Sequence, residues 1–70
     1  MHLSDLQTEA IHKCARADLR TDTQILSMLL AEGIRFYFFD NPPRSGDLSE
    51  LQHLAEALEL EAMRLVGHDL

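Results

Sequence analysis

Residues 21–43 read TDTQILSMLLAEGIRFYFFDNPP, and this stretch decides the fold. It opens with Thr21, followed three residues later by a glutamine. This spacing is typical of a capping box, in which both side chains satisfy free N–H groups at the start of a helix. It closes with Pro42 and Pro43, which cannot continue a helix. The sequence therefore predicts a long central helix over residues 22–39.

The apolar side chains of this central helix are too numerous for a single buried face. One broad face is predicted to carry Ile25, Leu26, Leu29, Leu30, Gly33, Phe36 and Tyr37. The apolar side chains predicted to project from other sides of the helix are those of Met28, Ile34, Phe38 and Phe39. A helix that is apolar nearly all round is buried on several sides. Two further helices in a chain of 70 residues cannot easily provide that cover.

Every aromatic residue of the chain lies in one run, residues 36–39, near the end of this helix. The run also follows the alternation of a strand, but no second segment offers a strand partner, so helix is the preferred interpretation. We expect Phe36 and Tyr37 to pack in a core or a dimer core. For Phe38 and Phe39 a dimer core and a binding site for a partner are equally good interpretations.

A first helix is predicted over residues 5–17, after a second capping box formed by Ser4 and Gln7. Its apolar residues recur at steps of three and four and form one narrow stripe of Leu3, Leu6, Ala10, Cys14 and Ala17. A basic edge flanks the stripe and consists of Lys13, Arg16 and Arg20. We interpret this edge as a solvated surface, with a ridge of phosphate contacts as the alternative.

A third helix is predicted over residues 48–66, between a capping box of Asp47 and Glu50 and a C-terminal stop at Gly67. Its apolar seam steps alternately by three and four and consists of Leu48, Leu51, Ala55, Leu58, Ala62 and Leu65. Alanines in such a seam allow a neighbouring helix to approach closely. Leu60 and Met63 lie off the seam and indicate a second contact.

Composition restricts the classes of function. The net charge of −6 disfavours binding to nucleic acid or to an anionic membrane. The longest apolar stretch, residues 25–39, is too short and too charged to span a bilayer. Cys14 is the only cysteine, so no disulfide can form within the chain, and a lone thiol suits a reducing compartment. The N-terminus lacks the pattern of a secretion signal, and we expect a cytoplasmic protein.

The sequence therefore predicts an all-α fold, with residues 1–70 forming one helical domain. A domain of this size buries a small fraction of its surface and often depends on a metal, disulfides or a partner subunit. We expect a small three-helix bundle that is completed by homodimerisation or by a higher homo-oligomer.

No motif in the sequence predicts an enzyme, a cofactor or a metal centre. Glu50 and His53 have the E-x-x-H spacing of di-metal carboxylate bundles, but such a site needs a second motif and further carboxylates. No Cys/His pair has zinc spacing, and there is no glycine-rich phosphate loop and no nucleophile elbow. A solvated helix face is the preferred interpretation of the Glu50 and His53 pair.

The segment LQTEAIHKCARADLRTDTQILSMLLAEGIRFY, residues 6–37, resembles the two-helix part of ribbon-helix-helix regulators, a group that includes plasmid repressors and antitoxins. The resemblance implies an intertwined helical dimer. Those proteins read DNA with a basic N-terminal strand, and this chain has only residues 1–3 before its first helix. Asp22 also lies where the family would place a phosphate on free helix N–H groups.

We therefore expect a non-catalytic helical regulator or adaptor that acts through protein–protein contacts. The alternative is a DNA-binding regulator or antitoxin of ribbon-helix-helix ancestry, with Lys13, Arg16 and Arg20 as its nucleic-acid contacts. The residues predicted to form a dimer or partner interface are Met28, Ile34, Phe36, Tyr37, Phe38, Phe39, Leu51, Leu58 and Leu65.

Overall fold

The computed structural model of the chain describes the backbone of residues 2–68 and the side chains of residues 2–64. It contains helix α1 at Asp5–Ala17, helix α2 at Asp22–Asp40 and helix α3 at Leu48–His68. The described residues contain no strand, so the all-α prediction is confirmed and the strand interpretation of the aromatic run is wrong. Helix α3 passes through Gly67, so the predicted stop there is also wrong.

The capping boxes predicted for α1 and α2 both form, at the first turn of each helix. The hydroxyl of Ser4 accepts a hydrogen bond from the Gln7 backbone N–H at 3.1 Å, and the Gln7 side chain accepts one from the Ser4 N–H at 2.8 Å. Thr21 begins α2 in the same reciprocal way, with distances of 3.2 and 2.9 Å. Both helices therefore begin at the residues that the sequence predicts.

The cap of α3 differs in detail from the predicted box. Asp47 accepts hydrogen bonds from the backbone N–H of Ser49 at 3.0 Å and from the Ser49 hydroxyl at 2.9 Å. At the other end of the connecting loop, Asn41 closes α2 by donating its backbone N–H and its side-chain amide to the Tyr37 carbonyl, each at 2.9 Å. The prolines after Asn41 then end the helix as predicted.

A tight turn of the Schellman type joins α1 to α2. The N–H of Arg20 donates to the Ala15 carbonyl at 2.9 Å, and the N–H of Leu19 donates to the Arg16 carbonyl at 3.3 Å. Leu19 adopts a φ of 54°, in the left-handed region that glycine usually occupies at this position. Its side chain is 94% exposed, so no packing within the chain compensates for this conformation.

Replacing Leu19 with glycine is expected to raise the free energy of unfolding by about 1 kcal/mol. The left-handed conformation costs a residue with a Cβ about 1–2 kcal/mol, part of which glycine loses again in backbone entropy. Leu19→Ala is the matched control, because it removes the exposed side chain but keeps the Cβ. Denaturant unfolding measures both variants, and equal stability of the two would contradict the explanation.

Helix α2 is the centre of the molecule, and the other two helices pack on different sides of it. Helix α3 runs back antiparallel along α2, and α1 packs more briefly against it. Over the described residues α1 and α3 do not contact each other. Arg35 of α2 forms an ion pair with Glu59 of α3, and the Asp22 carboxylate of α2 contacts Nδ1 of His12 in α1.

Small residues form the contact between α2 and α3. Ala31 and Ala55 are both completely buried, and Ala62 is nearly so. Leu51 and Leu58 are half-buried on the same side of α3. Leu48, the first residue of the predicted seam, is exposed, but the rest of its described part is confirmed, with alanines at the close contact.

Most of the apolar face predicted for α2 is not buried within the single chain. The residues that α2 buries are Gln24, Ile25, Ser27 and Ala31. Leu29, Leu30, Phe36 and Tyr37, which share the predicted face with Ile25, are all exposed. The physical reason is that α3 packs on the side of α2 that carries Ala31 and Arg35, a quarter turn or more from these four residues.

The apolar stripe of α1 also faces away from the rest of the chain. Ala15 is the one buried residue of this helix and Ile11 is half-buried, whereas Leu6, Ala10 and Cys14 of the predicted stripe are exposed. The turn after α1 and the contact of His12 Nδ1 with the Asp22 carboxylate set the side of α1 that meets α2. That side is a quarter turn or more from the stripe.

Candidate interaction surface

The C-terminal two-thirds of α2 carry an exposed apolar surface. It consists of residues at three- and four-residue steps around one glycine, and we call it the α2 outer face: Leu29, Leu30, Gly33, Phe36 and Tyr37. Phe36 is 72% exposed and Tyr37 is 60% exposed. None of its residues is charged. Aromatic side chains contribute most to the energy of protein interfaces, so this surface is suited to bind protein.

Gly33 lies at the centre of the α2 outer face in open space. A Cβ placed on Gly33 would meet no atom within 4 Å. Glycine inside a helix costs about 1 kcal/mol relative to alanine, and none of the described residues packs close enough to require it. The glycine leaves the backbone of α2 accessible in the middle of an apolar surface.

The aromatic run divides between the fold and this surface. Phe38 is half-buried on the α3 side of α2, and Tyr37 packs edge-to-face against it with ring centroids 5.1 Å apart. Phe39 is 85% exposed. Phe36 and Tyr37 are therefore not core residues of the single chain, and their place in a dimer core remains a prediction.

The predicted interface residues lie in two different environments. Several are half-buried at the contact of α2 with α3, namely Met28, Ile34, Phe38, Leu51 and Leu58. Phe36, Tyr37 and Phe39 lie mostly in solvent. The side chain of Leu65 lies outside the described residues. The sequence interpretation missed Leu29 and Leu30 as surface residues, because it assigned them to the buried face.

A groove beside the α2 outer face has charged residues at its rim. It encloses about 460 Å³ between α2 and α3, with Met28, Phe36, Ala62 and Met63 as its apolar lining. Arg35 and Glu59 form an ion pair across it. The groove thus continues the apolar surface of Phe36 onto α3, where Leu60 and Met63 are exposed as the sequence predicts.

The basic residues near the end of α1 are mostly paired with acids. The Lys13 ammonium lies 3.1 Å from a Glu9 carboxylate oxygen, and Nε of Arg20 lies 2.6 Å from Oδ2 of Asp18. Arg16 is exposed on the same helix as Lys13. The structure therefore brings a carboxylate to two of the three residues predicted to contact nucleic acid.

Glu50 and His53 lie on the exposed side of α3. Among the described side chains, no three His, Cys, Asp or Glu residues converge closely enough to hold a metal ion. His53 does lie near the helix cap. The backbone N–H and the hydroxyl of Ser49 hold the pKa of the Asp47 carboxyl below its ordinary value, and the charge of His53 acts in the same direction.

The structure as described includes no helix with the length and apolar character needed to cross a bilayer.

Comparison with known proteins gives no assignment: no family model, no curated protein and no solved structure matches the chain.

Proposed function

We propose that this protein is a small helical regulator or adaptor without catalytic activity, which acts through protein–protein contacts as a homo-oligomer. The observation that carries the proposal is its excess surface. The chain exposes 5819 Å², whereas a compact folded monomer of 8.0 kDa exposes about 4,500 Å². The excess of about 1,300 Å² is more than one partner contributes to a standard interface, about 800 Å².

The shape of the chain supports the same proposal. Its radius of gyration is 13.3 Å, against about 11 Å for a compact domain of this length. The cause is the open arrangement in which α1 and α3 pack on α2 but not on each other. A second copy that covers the α2 outer face would bury the large apolar side chains that the chain alone leaves in solvent.

The charge and the cysteine content of the chain bear on the kind of partner and on the cellular compartment. The net charge of −6 favours a protein partner over nucleic acid or an anionic membrane. Cys14 is a free and exposed thiol, which suits the reducing cytoplasm. The proposal therefore places the protein in the cytoplasm, with the exposed aromatic residues as the anchors for its partners.

Size-exclusion chromatography with light scattering tests the oligomer. At micromolar concentration we expect a mass of twice the chain mass of 8.0 kDa, or a higher multiple. An environment-sensitive dye should bind weakly, because assembly covers the apolar surface. A monomer at this concentration that also fails to bind the dye would contradict the proposal, since its apolar surface would then need no partner.

A DNA-binding regulator of ribbon-helix-helix ancestry is the second candidate. It is favoured by the short turn between α1 and α2 and by the exposed Arg16 on α1. Such binding would weaken steeply with salt, and Arg16→Ala with Arg20→Ala would weaken it further. Failure of both variants to change binding to duplex DNA, or absence of salt-dependent binding, would eliminate this candidate.

A further inference from the structure

The residues around Gly33 are arranged symmetrically along α2. Leu29 and Leu30 precede it by four and three residues, and Phe36 and Tyr37 follow it by three and four. On a helix these spacings place all four side chains beside Gly33 on one surface. A two-fold axis that is perpendicular to α2 and passes between the Gly33 residues of two copies would therefore place aliphatic residues opposite aromatic residues.

We propose that two copies of the chain dimerise through an antiparallel crossing of α2 on α2, with Gly33 of both copies at the crossing point. This inference rests on the proposed homo-oligomer and specifies its contact surface. In the crossing, Leu29 of one copy packs on Tyr37 of the other, and Leu30 packs on Phe36. Because the homodimer has two-fold symmetry, each of these two contacts occurs twice.

The open space at Gly33 supports a second copy of α2 as the partner of this surface. Side chains at a helix contact hold the two axes 8–10 Å apart, and a glycine at the crossing point allows the lower end of that range. None of the described residues uses the missing side chain, since a Cβ at Gly33 would meet no atom within 4 Å. A second copy of α2 gives this mid-helix glycine the close contact that the single chain lacks.

The charges around the surface favour the antiparallel direction. In an antiparallel crossing Asp40 faces Leu26 of the second copy. A parallel arrangement would instead place Asp40 beside Asp40. Like charges in that position destabilise a contact, which matters for a chain with a net charge of −6.

The two exposed aromatic residues supply about a third of the area that one partner contributes to a standard dimer interface. Aromatic residues of this kind bury about 150–250 Å² each, so Phe36 and Tyr37, at 72% and 60% exposure, supply roughly 250 Å² per copy. Leu29, Leu30 and the flanking residues add to this, within an excess surface of about 1,300 Å². A standard interface needs about 800 Å² per partner.

Sedimentation analysis of Gly33 variants tests the crossing. Gly33→Leu should raise the dissociation constant of the dimer about tenfold or more, because the side chain separates the helices. Ala57→Leu, at an exposed alanine on α3, is the matched control and should change it by less than about twofold. Circular dichroism checks that both variants fold, and Gly33→Ala is a milder variant that should still weaken the dimer.

The outcomes separate this inference from the proposed function. A wild-type dimer that Gly33→Leu and Gly33→Ala leave unchanged or tighten would overturn the crossing and leave the homo-oligomer intact. A wild-type monomer would overturn both. As a positive test with diamide as the added thiol oxidant, Gly33→Cys in a Cys14→Ser background should form a disulfide-linked dimer about tenfold faster than Glu61→Cys in the same background, because the crossing holds the two thiols together. Equal rates would count against the crossing.

Discussion

Ile25→Ala is expected to lower the free energy of unfolding by about 2–4 kcal/mol, the usual cost of removing a buried isoleucine side chain. Ile25 is the largest apolar residue among those that the structure buries. It lies one turn into α2, close to the turn that brings α1 back against this helix. A domain of 70 residues has a total stability of roughly 3–10 kcal/mol, so the loss is a large fraction of it.

The control for this prediction is Leu60→Ala on α3. Leu60 is 62% exposed, and its truncation removes a similar volume of apolar side chain without leaving a cavity. We expect a change within about 0.5 kcal/mol, as for most surface substitutions. Denaturant unfolding at one fixed protein concentration measures both variants. Equal losses for Ile25→Ala and Leu60→Ala would show that Ile25 is not a core residue.

The helix boundaries are the part of the structure that the sequence predicts best. Ser4 and Thr21 begin α1 and α2 by accepting hydrogen bonds from the backbone N–H three residues later. Pro42 ends α2 because its ring keeps the preceding residue, Asn41, out of the helical conformation. These effects are local, so they can be recognised without knowledge of the rest of the fold. Gly67 is the exception, because α3 continues through it.

The choice of buried face depends on the neighbouring helix and could not be predicted from hydrophobicity alone. Periodicity groups Leu29, Leu30, Phe36 and Tyr37 with Ile25, and of these five only Ile25 is buried. The fully buried positions of α2 are instead mostly small or polar, including Ser27 and Ala31. A search for small residues four apart on α2, matching the alanines of α3, would have found these two residues.

The incomplete prediction of the candidate surface has the same cause as the incomplete prediction of the buried face of α2. The sequence correctly indicates more apolar surface on α2 than one chain can cover, but it assigns part of that surface to the wrong side of the helix. Met28 and Ile34, predicted for an interface, are half-buried within the chain, while Leu29 and Leu30, predicted to share one broad face with Ile25, face solvent. Hydrophobicity indicates how much apolar surface α2 has beyond what one chain can cover. Only the packing of α3 determines on which side of α2 that surface lies.

Ala31→Leu is expected to destabilise the chain by about 1–3 kcal/mol or more, although it adds apolar surface. Ala31 of α2 and Ala55 of α3 are both completely buried where their helices pack. A leucine at this contact has no space, so it must separate the helices or adopt a strained rotamer. Separation would also strain the ion pair of Arg35 with Glu59, which joins the same two helices.

Ala57→Leu provides the comparison for Ala31→Leu, because it makes the same chemical change at an exposed alanine of α3. Leucine and alanine have similar helix propensities, so the control should unfold at nearly the denaturant concentration of the wild type, and Ala31→Leu at a clearly lower one. If Ala31→Leu were as stable as the control, α2 and α3 could not be held together by small residues in close contact. Large apolar side chains would then have to supply the core, and the α2 outer face would be the first place to look for them.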